Sequence, residues 1–133
     1  MEGVQDNVQQ PEHATIVRID SVRFGDEDME GRVKLICVEV TGEFEGTPIS
    51  FWCNLKNQDR LLSPAMKLYQ VLSAAHGEGW TKKYGTLETA IQALRGKYIA
   101  GTSVPKDAKK GGVGNNLKDG TIMPIPEDFE PEN

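Results

Sequence analysis

Few residues of this chain have the type and spacing that catalysis requires. Ser63, His13 and His76 are the candidates for a nucleophile or a general base, and none stands in a recognisable catalytic motif. Ser63 precedes a proline at the start of a helical pattern, which favours a role as a helix cap. We expect His13 to lie in a mobile leader and His76 at a helix end. We therefore expect no catalytic residues and a protein that is not an enzyme.

Metal and phosphate motifs are equally sparse. Cys37 and Cys53 are sixteen residues apart, lack a CxxC partner and fall inside predicted strands, which indicates buried free thiols in a reducing compartment. The acidic run at 26–30 does not match a calcium-binding loop. The basic, glycine-rich loop 105–114 lacks the GxxxxGK[ST] pattern of phosphate-binding loops. We expect neither a metal nor a cofactor.

Charge divides the chain into three parts. The net charge is −5, but seven of the twenty acidic residues lie in 1–12 and 127–133, which contain no lysine or arginine. Residues 13–126 therefore contain thirteen acidic residues and all fifteen lysines and arginines, so this body of the chain is weakly basic, with a net charge of about +2. We expect a disordered leader (1–12), one folded domain (13–126) and an acidic disordered tail (127–133). No segment has the pattern of a membrane span or a signal peptide, which favours a cytoplasmic protein.

The segment 47–56, TPISFWCNLK, alternates strictly between apolar and polar residues. Ile49, Phe51, Cys53 and Leu55 share one side, whereas Ser50, Trp52, Asn54 and Lys56 share the other. Because successive side chains of a strand point to opposite faces, the segment is predicted to be a strand with a buried face and a polar face. The polar face carries a tryptophan, which would either cover a neighbouring element or offer a flat surface to a ligand.

The other elements follow from hydrophobic period and from turn residues. Strands are predicted at 15–24, 32–41 and 97–104, with a last one inside 113–125. Helices are predicted from Ser63-Pro64 to Gly77 and from Thr86 to Gly96, with an aromatic and basic loop between them. Three strands, a helical segment and two strands form the element order of the OB-fold. We therefore expect a mainly β, five-stranded OB-fold-like Greek-key barrel with its helical segment between strands 3 and 4.

A barrel of this kind would bring basic and aromatic residues to one face. Binding of single-stranded nucleic acid needs cations that follow the phosphates and exposed rings on which bases stack. The predicted nucleic-acid-binding residues are Trp52, Lys34, Lys56, Arg18, Trp80, Lys106, Lys109 and Lys110, with Arg23 as a further cation on the first strand. Each also has a structural explanation, since a tryptophan can anchor a loop and a lysine can solubilise a turn. The acidic loop at 26–30 counts against binding, because it occupies the other loop position that clasps a ligand.

The tail, PEDFEPEN, combines acids with one aromatic residue. It is similar in character to the acidic tails of bacterial single-strand binding proteins, which dock on replication and repair partners. Phe129, however, stands four residues from the end, whereas that family places its aromatic at or next to the terminus. We expect Phe129 to be the partner-binding residue, with a solvated terminus as the alternative.

A resemblance covers about residues 15–126. The runs SFWCNL, LSPAMKLYQVLSAAHG, LRGKYIAGT and TIMPIP resemble those of small phage-encoded proteins that are treated as OB-fold, single-stranded-DNA-binding-like proteins. The resemblance implies an accessory role in phage replication or recombination, with single-stranded DNA and replication or recombination proteins as partners.

Two other functions remain open at this level. One is a protein-interaction OB module without nucleic-acid binding, and the other is a barrel that binds a sugar or another small ligand. The expected function is non-specific single-stranded DNA binding. Whether the protein prefers RNA or DNA, and whether it forms a homo-oligomer, are also left open.

Overall fold

The computed structural model describes residues 9–25, 31–55, 66–106 and 114–130. Five antiparallel strands form a nearly closed barrel, with short helices between strands 3 and 4. The strands are β1 (His13–Phe24), β2 (Arg32–Glu39), β3 (Pro48–Asn54), β4 (Tyr98–Pro105) and β5 (Asn115–Leu117). The mainly β, OB-fold-like architecture expected from the element order is confirmed.

The strands follow the order β3-β2-β1-β4-β5, so β1 is the central strand and pairs with both β2 and β4. An irregularity between Ile19 and Ser21 leaves Asp20 without a partner residue on β2. Such a bulge bends its strand, which helps a small sheet to curl into a barrel. β3 and β5 are the two edges of the sheet, and the curl brings them to face each other.

The barrel interior is built from the alternate positions of each strand. Ile49, Phe51 and Cys53 of β3 are buried, as their alternation predicted. Leu55 follows the strand and is partly buried against the same core. Buried apolar side chains of the other strands and of the helices complete one continuous core. The outward positions of β2 and β3 are therefore available to form a surface.

Three helices cover the barrel between β3 and β4. They are α1 (Lys67–His76), α2 (Trp80–Lys83) and α3 (Leu87–Gln92). Gly77 ends α1 at a φ of 95°, and the hydroxyl of Thr86 accepts from the Thr89 amide at 3.1 Å, so both predicted caps are confirmed. The predicted helix start at Ser63-Pro64 lies outside the described residues. The segment predicted as a loop between two helices contains the one-turn helix α2.

One lysine bridges the edges of the barrel at the start of α1. The amine of Lys67 donates to Asn116 Oδ1 at 3.0 Å and to the backbone carbonyl of Leu117, and it pairs with Asp119 Oδ1 at 2.9 Å. It also lies 4.4 Å from the centre of the Phe51 ring on β3. Its side chain is only 13% exposed. Lys67 therefore connects β5 and its flank to β3 where the barrel is not fully closed.

A polar cluster fills one end of the barrel. His13 Nε2 lies 2.7 Å from Glu39 Oε1, and His13 Nδ1 lies 2.6 Å from the carbonyl oxygen of Pro11. The buried Glu39 Oε1 also accepts from the Thr15 hydroxyl at 2.6 Å. Burial alone would lower the pKa of His13, but its hydrogen bonds to Pro11 and Glu39 and the charges of Glu39 and Glu43 raise it above 6.5. The sequence predicted that His13 lies in a mobile leader, whereas it is the first residue of β1 and its ring contacts the buried Glu39.

The segments that flank the body make contacts with it. Gln9 Nε2 donates to the Lys106 carbonyl at 3.1 Å, and the Gln10 amide donates to Asn115 Oδ1 at 2.9 Å. At the other end, the amide of Phe129 donates to the Pro126 carbonyl at 3.0 Å. Contacts with the folded domain thus extend to Gln9 and Gln10 on one side and to Phe129 on the other. Within the described chain, no helix has the length and apolar character needed to cross a membrane.

Candidate nucleic-acid interface

A row of three outward side chains crosses the barrel on β1, β2 and β3. Arg23 lies opposite Lys34, and Lys34 lies opposite Trp52. Their inward neighbours on the three strands are buried, with the exception of Phe24 at the end of β1, so these three residues share the outer face. The Lys34 amine lies 6.0 Å from the centre of the Trp52 ring, at the outer limit of a cation–π contact. Trp52 is partly exposed, and the row places two cations and one indole side by side.

Lys106, which follows β4, reaches the same face from the other side. Its amine donates to the Ser50 hydroxyl on β3 at 2.9 Å. Burial is the main cause that lowers the pKa of Lys106, and the positive charge of Lys34 lowers it further. Two like charges held near each other are an unfavourable arrangement, which a bound anion would relieve. The pair is therefore suited to a phosphate.

The composition of the face is basic. In the described chain, the outward positions are 32, 34, 36 and 38 on β2 and 48, 50, 52 and 54 on β3. None of these positions carries an acidic residue. Arg32, which lies opposite Asn54, adds a fourth cation to Arg23, Lys34 and Lys106. The sequence reasoning missed Arg32. Arg32 lies two residues before Lys34 on the same predicted strand, so its side chain is expected on the same face. We call this surface, formed by Arg23, Arg32, Lys34, Ser50, Trp52 and Lys106, the β2–β3 face.

Arg18 is not part of the β2–β3 face. It lies opposite Val38, four residues and about 13 Å along β2 from Lys34. Its guanidinium forms an ion pair with Asp20, with Nε 2.6 Å from Oδ1. The groove of about 380 Å³ that it lines also contains Glu45 and Glu130. The structure thus separates Arg18 from the other predicted cations and surrounds it with acids, which disfavour a phosphate.

Trp80 cannot serve as a stacking surface in this structure. Its side chain is 6% exposed, its indole N–H donates to the Ser73 hydroxyl at 3.2 Å, and its ring meets Tyr69 edge-on at 5.4 Å. Tyr84, from the same predicted aromatic cluster, is partly buried against His76, with ring centres 4.7 Å apart. Binding of nucleic acid by Trp80 stays a prediction, and it would require this ring to leave the core to which it anchors the helical segment.

Phe129, the predicted partner-binding residue, packs within the chain. Its ring lies 5.7 Å from that of Tyr98 on β4, and the side chain is partly buried. Partner binding by Phe129 stays a prediction, and it would require this contact to open. Lys56, Lys109 and Lys110 fall outside the described residues.

The fold and this face define the class of the molecule. It is a five-stranded OB-fold-like barrel with a basic outer surface that carries one partly exposed tryptophan. Among the described residues there is no group of three or more His, Cys, Asp or Glu side chains that could hold a metal ion. Comparison of the chain with protein-family models, with curated proteins and with solved structures finds no match.

Proposed function

We propose that this protein binds single-stranded DNA through the β2–β3 face, with little dependence on base sequence, as an accessory factor in phage-type replication or recombination. The observation that carries the proposal is the arrangement of Trp52 with Lys34, Lys106 and Arg23 on a surface whose outward β2 and β3 positions, within the described residues, hold no acid. Bases stack on the indole, at about 1–3 kcal/mol per base, while the cations contact phosphates. The cellular role rests on the resemblance alone.

Salt dependence tests the phosphate contacts. For single strands the slope of log K against log salt is about −0.7 per neutralised phosphate. If Arg23, Arg32, Lys34 and Lys106 each contact one phosphate, the slope is about −3, and phosphate contacts of Lys56, Lys109 or Lys110 would make it steeper. In Lys34→Ala the slope becomes shallower by about 0.7, whereas Lys82→Ala, an exposed lysine on α2, leaves it unchanged.

Trp52 tests the stacking contact. We expect quenching of tryptophan fluorescence when a twenty-nucleotide oligothymidine is added at low salt, because Trp80 is buried and Trp52 is not. Trp52→Ala should weaken binding of a labelled oligonucleotide about five- to a hundredfold, with an unchanged circular dichroism spectrum. Absence of binding at low salt, where the phosphate contribution is largest, would contradict the proposal and favour the protein-interaction alternative.

A further inference from the structure

A slot opens between β3 and β5, beside the β2–β3 face. These two strands are the edges of the sheet, so the barrel wall is incomplete between them. The slot has a volume of about 320 Å³, at the lower end of the range for small-molecule sites. Trp52, Asn54, Lys67, Asn116 and Asp119 supply its polar and aromatic lining.

Trp52 belongs both to the face and to the slot. Lys34 approaches its ring from β2, on one side of β3, whereas the slot lies towards β5, on the other side. The indole therefore stands between Lys34 and the slot. A base that enters the slot can stack on Trp52 while the phosphates attached to it remain on the β2–β3 face.

Lys67 determines which polar groups the slot offers. An ammonium group only donates hydrogen bonds, so its partners at Asn116 and Asp119 must be acceptors. This assigns Oδ1 of Asn116 to Lys67 and leaves the side-chain NH₂ of Asn116 as a donor. Asp119 uses Oδ1 for Lys67 and is 86% exposed, so its second oxygen remains an acceptor at the mouth of the slot.

We propose that the slot binds one base that carries an exocyclic amino group and holds it by stacking on Trp52 and by a hydrogen bond to Asp119. This inference rests on the proposed single-stranded DNA binding. A carboxylate accepts hydrogen bonds only, and the N4 amino group of cytosine is a donor suited to it. Uracil and thymine present a carbonyl oxygen at that position, which a carboxylate repels. The protein therefore combines sequence-tolerant phosphate binding with a preference at one nucleotide position.

The test compares (dC)12 with (dU)12 at the same salt concentration, by fluorescence anisotropy of end-labelled oligonucleotides. Cytosine carries an amino group at position 4 and an unprotonated N3, whereas uracil carries a carbonyl oxygen at position 4 and an N3–H group. We expect (dC)12 to bind about three- to tenfold more tightly, since the hydrogen bond involves a charged but exposed partner. In Asp119→Asn, which keeps an oxygen for Lys67, the ratio of the two affinities falls to one or reverses.

Asp128→Asn is the matched control. It removes the same charge from another exposed aspartate that does not line the slot. Both affinities then rise together through weaker repulsion of the polyanion, and their ratio stays at the wild-type value.

A second measurement uses the wild-type protein alone. Addition of 2′-deoxycytidine, which has no phosphate, should shift the side-chain amide signals of Asn54 and Asn116 and the indole N–H of Trp52 in a ¹⁵N-resolved NMR spectrum.

The outcomes separate the two proposals. Equal affinity for (dC)12 and (dU)12, both salt-dependent, overturns the slot and leaves the proposed function standing. A cytosine preference that persists in Asp119→Asn overturns the role of Asp119. Absence of binding to either oligonucleotide at low salt overturns both proposals together.

Discussion

Replacement of Lys67 by alanine tests how the barrel is held together between β3 and β5. The substitution removes the amine that donates to Asn116 and to the Leu117 carbonyl and that lies 4.4 Å from the Phe51 ring. Hydrogen bonds to a charged group contribute about 1.5–3 kcal/mol, and a cation–π contact about 0.5–1 kcal/mol or more when desolvated. The ion pair with Asp119 contributes little, because the carboxylate is 86% exposed. The two hydrogen bonds and the cation–π contact together contribute about 3–7 kcal/mol, so Lys67→Ala should lower the free energy of unfolding by at least about 3 kcal/mol.

Urea denaturation followed by the fluorescence of the buried Trp80 measures this loss. A reduction of about 3 kcal/mol corresponds to a melting temperature lower by about 10 °C for a chain of this length. Lys67→Met separates the contributions, since it keeps an apolar stem against Phe51 but no donor, and it should recover only part of the loss. Lys82→Ala, an exposed lysine on α2, should change the free energy by less than about 0.5 kcal/mol. If Lys67→Ala matches this control, Lys67 does not close the barrel and the reasoning is wrong.

Three further predictions concern the interior and the polar end of the barrel. A Cβ at Gly101 would lie 3.3 Å from Cδ2 of the fully buried Leu117, and the overpacking exceeds the gain of about 0.4–1 kcal/mol from a less flexible unfolded chain, so Gly101→Ala should destabilise the protein by about 0.5–2 kcal/mol; an unchanged urea midpoint would contradict this. The pKa of His13 is raised, so the stability that its charged form contributes is fully present below pH 6.5 and is lost as the pH rises through the raised pKa. The difference in unfolding free energy between wild type and His13→Gln should therefore become smaller over that range. A difference that grows with pH would refute the assignment. Burial raises the pKa of the Cys53 thiol to about 12 and that of Cys37 still further, so neither should react with iodoacetamide until the protein unfolds, and mass spectrometry of the native protein should show no adduct.

The sequence predicted most of the fold because its signals are local. Alternation at 47–56 assigned the buried and exposed sides of β3 correctly, since side-chain direction in a strand depends only on residue parity. The caps at Gly77 and Thr86 were also visible, because backbone conformation and the Thr86 hydrogen bond involve residues close in the chain. The element order then restricted the topology to a small number of barrels.

Burial of single residues was harder to predict. The sequence predicted that Trp80 and Trp52 are both available for stacking, yet Trp80 is covered by α1 and Trp52 is partly exposed. The difference depends on how the helical segment packs on the barrel, which no short window of sequence contains. His13 was similarly predicted to lie in a mobile leader, although a contact with Glu39, twenty-six residues away in the sequence, holds it at the start of β1.

By itself, the sequence determined the strand parity that puts Lys34 and Trp52 on outward positions, and the charge distribution that makes the body basic. Only the tertiary structure decided which cations share a surface. The bulge at Asp20 and the register of β1 with β2 bring Arg23 to Lys34 and leave Arg18 paired with Asp20 about 13 Å away. The path of the chain after β4 brings the Lys106 amine within hydrogen-bond distance of Ser50, which lies fifty-six residues earlier in the sequence. Parity is a local property of the backbone, whereas register and chain return depend on contacts between segments that are distant in sequence.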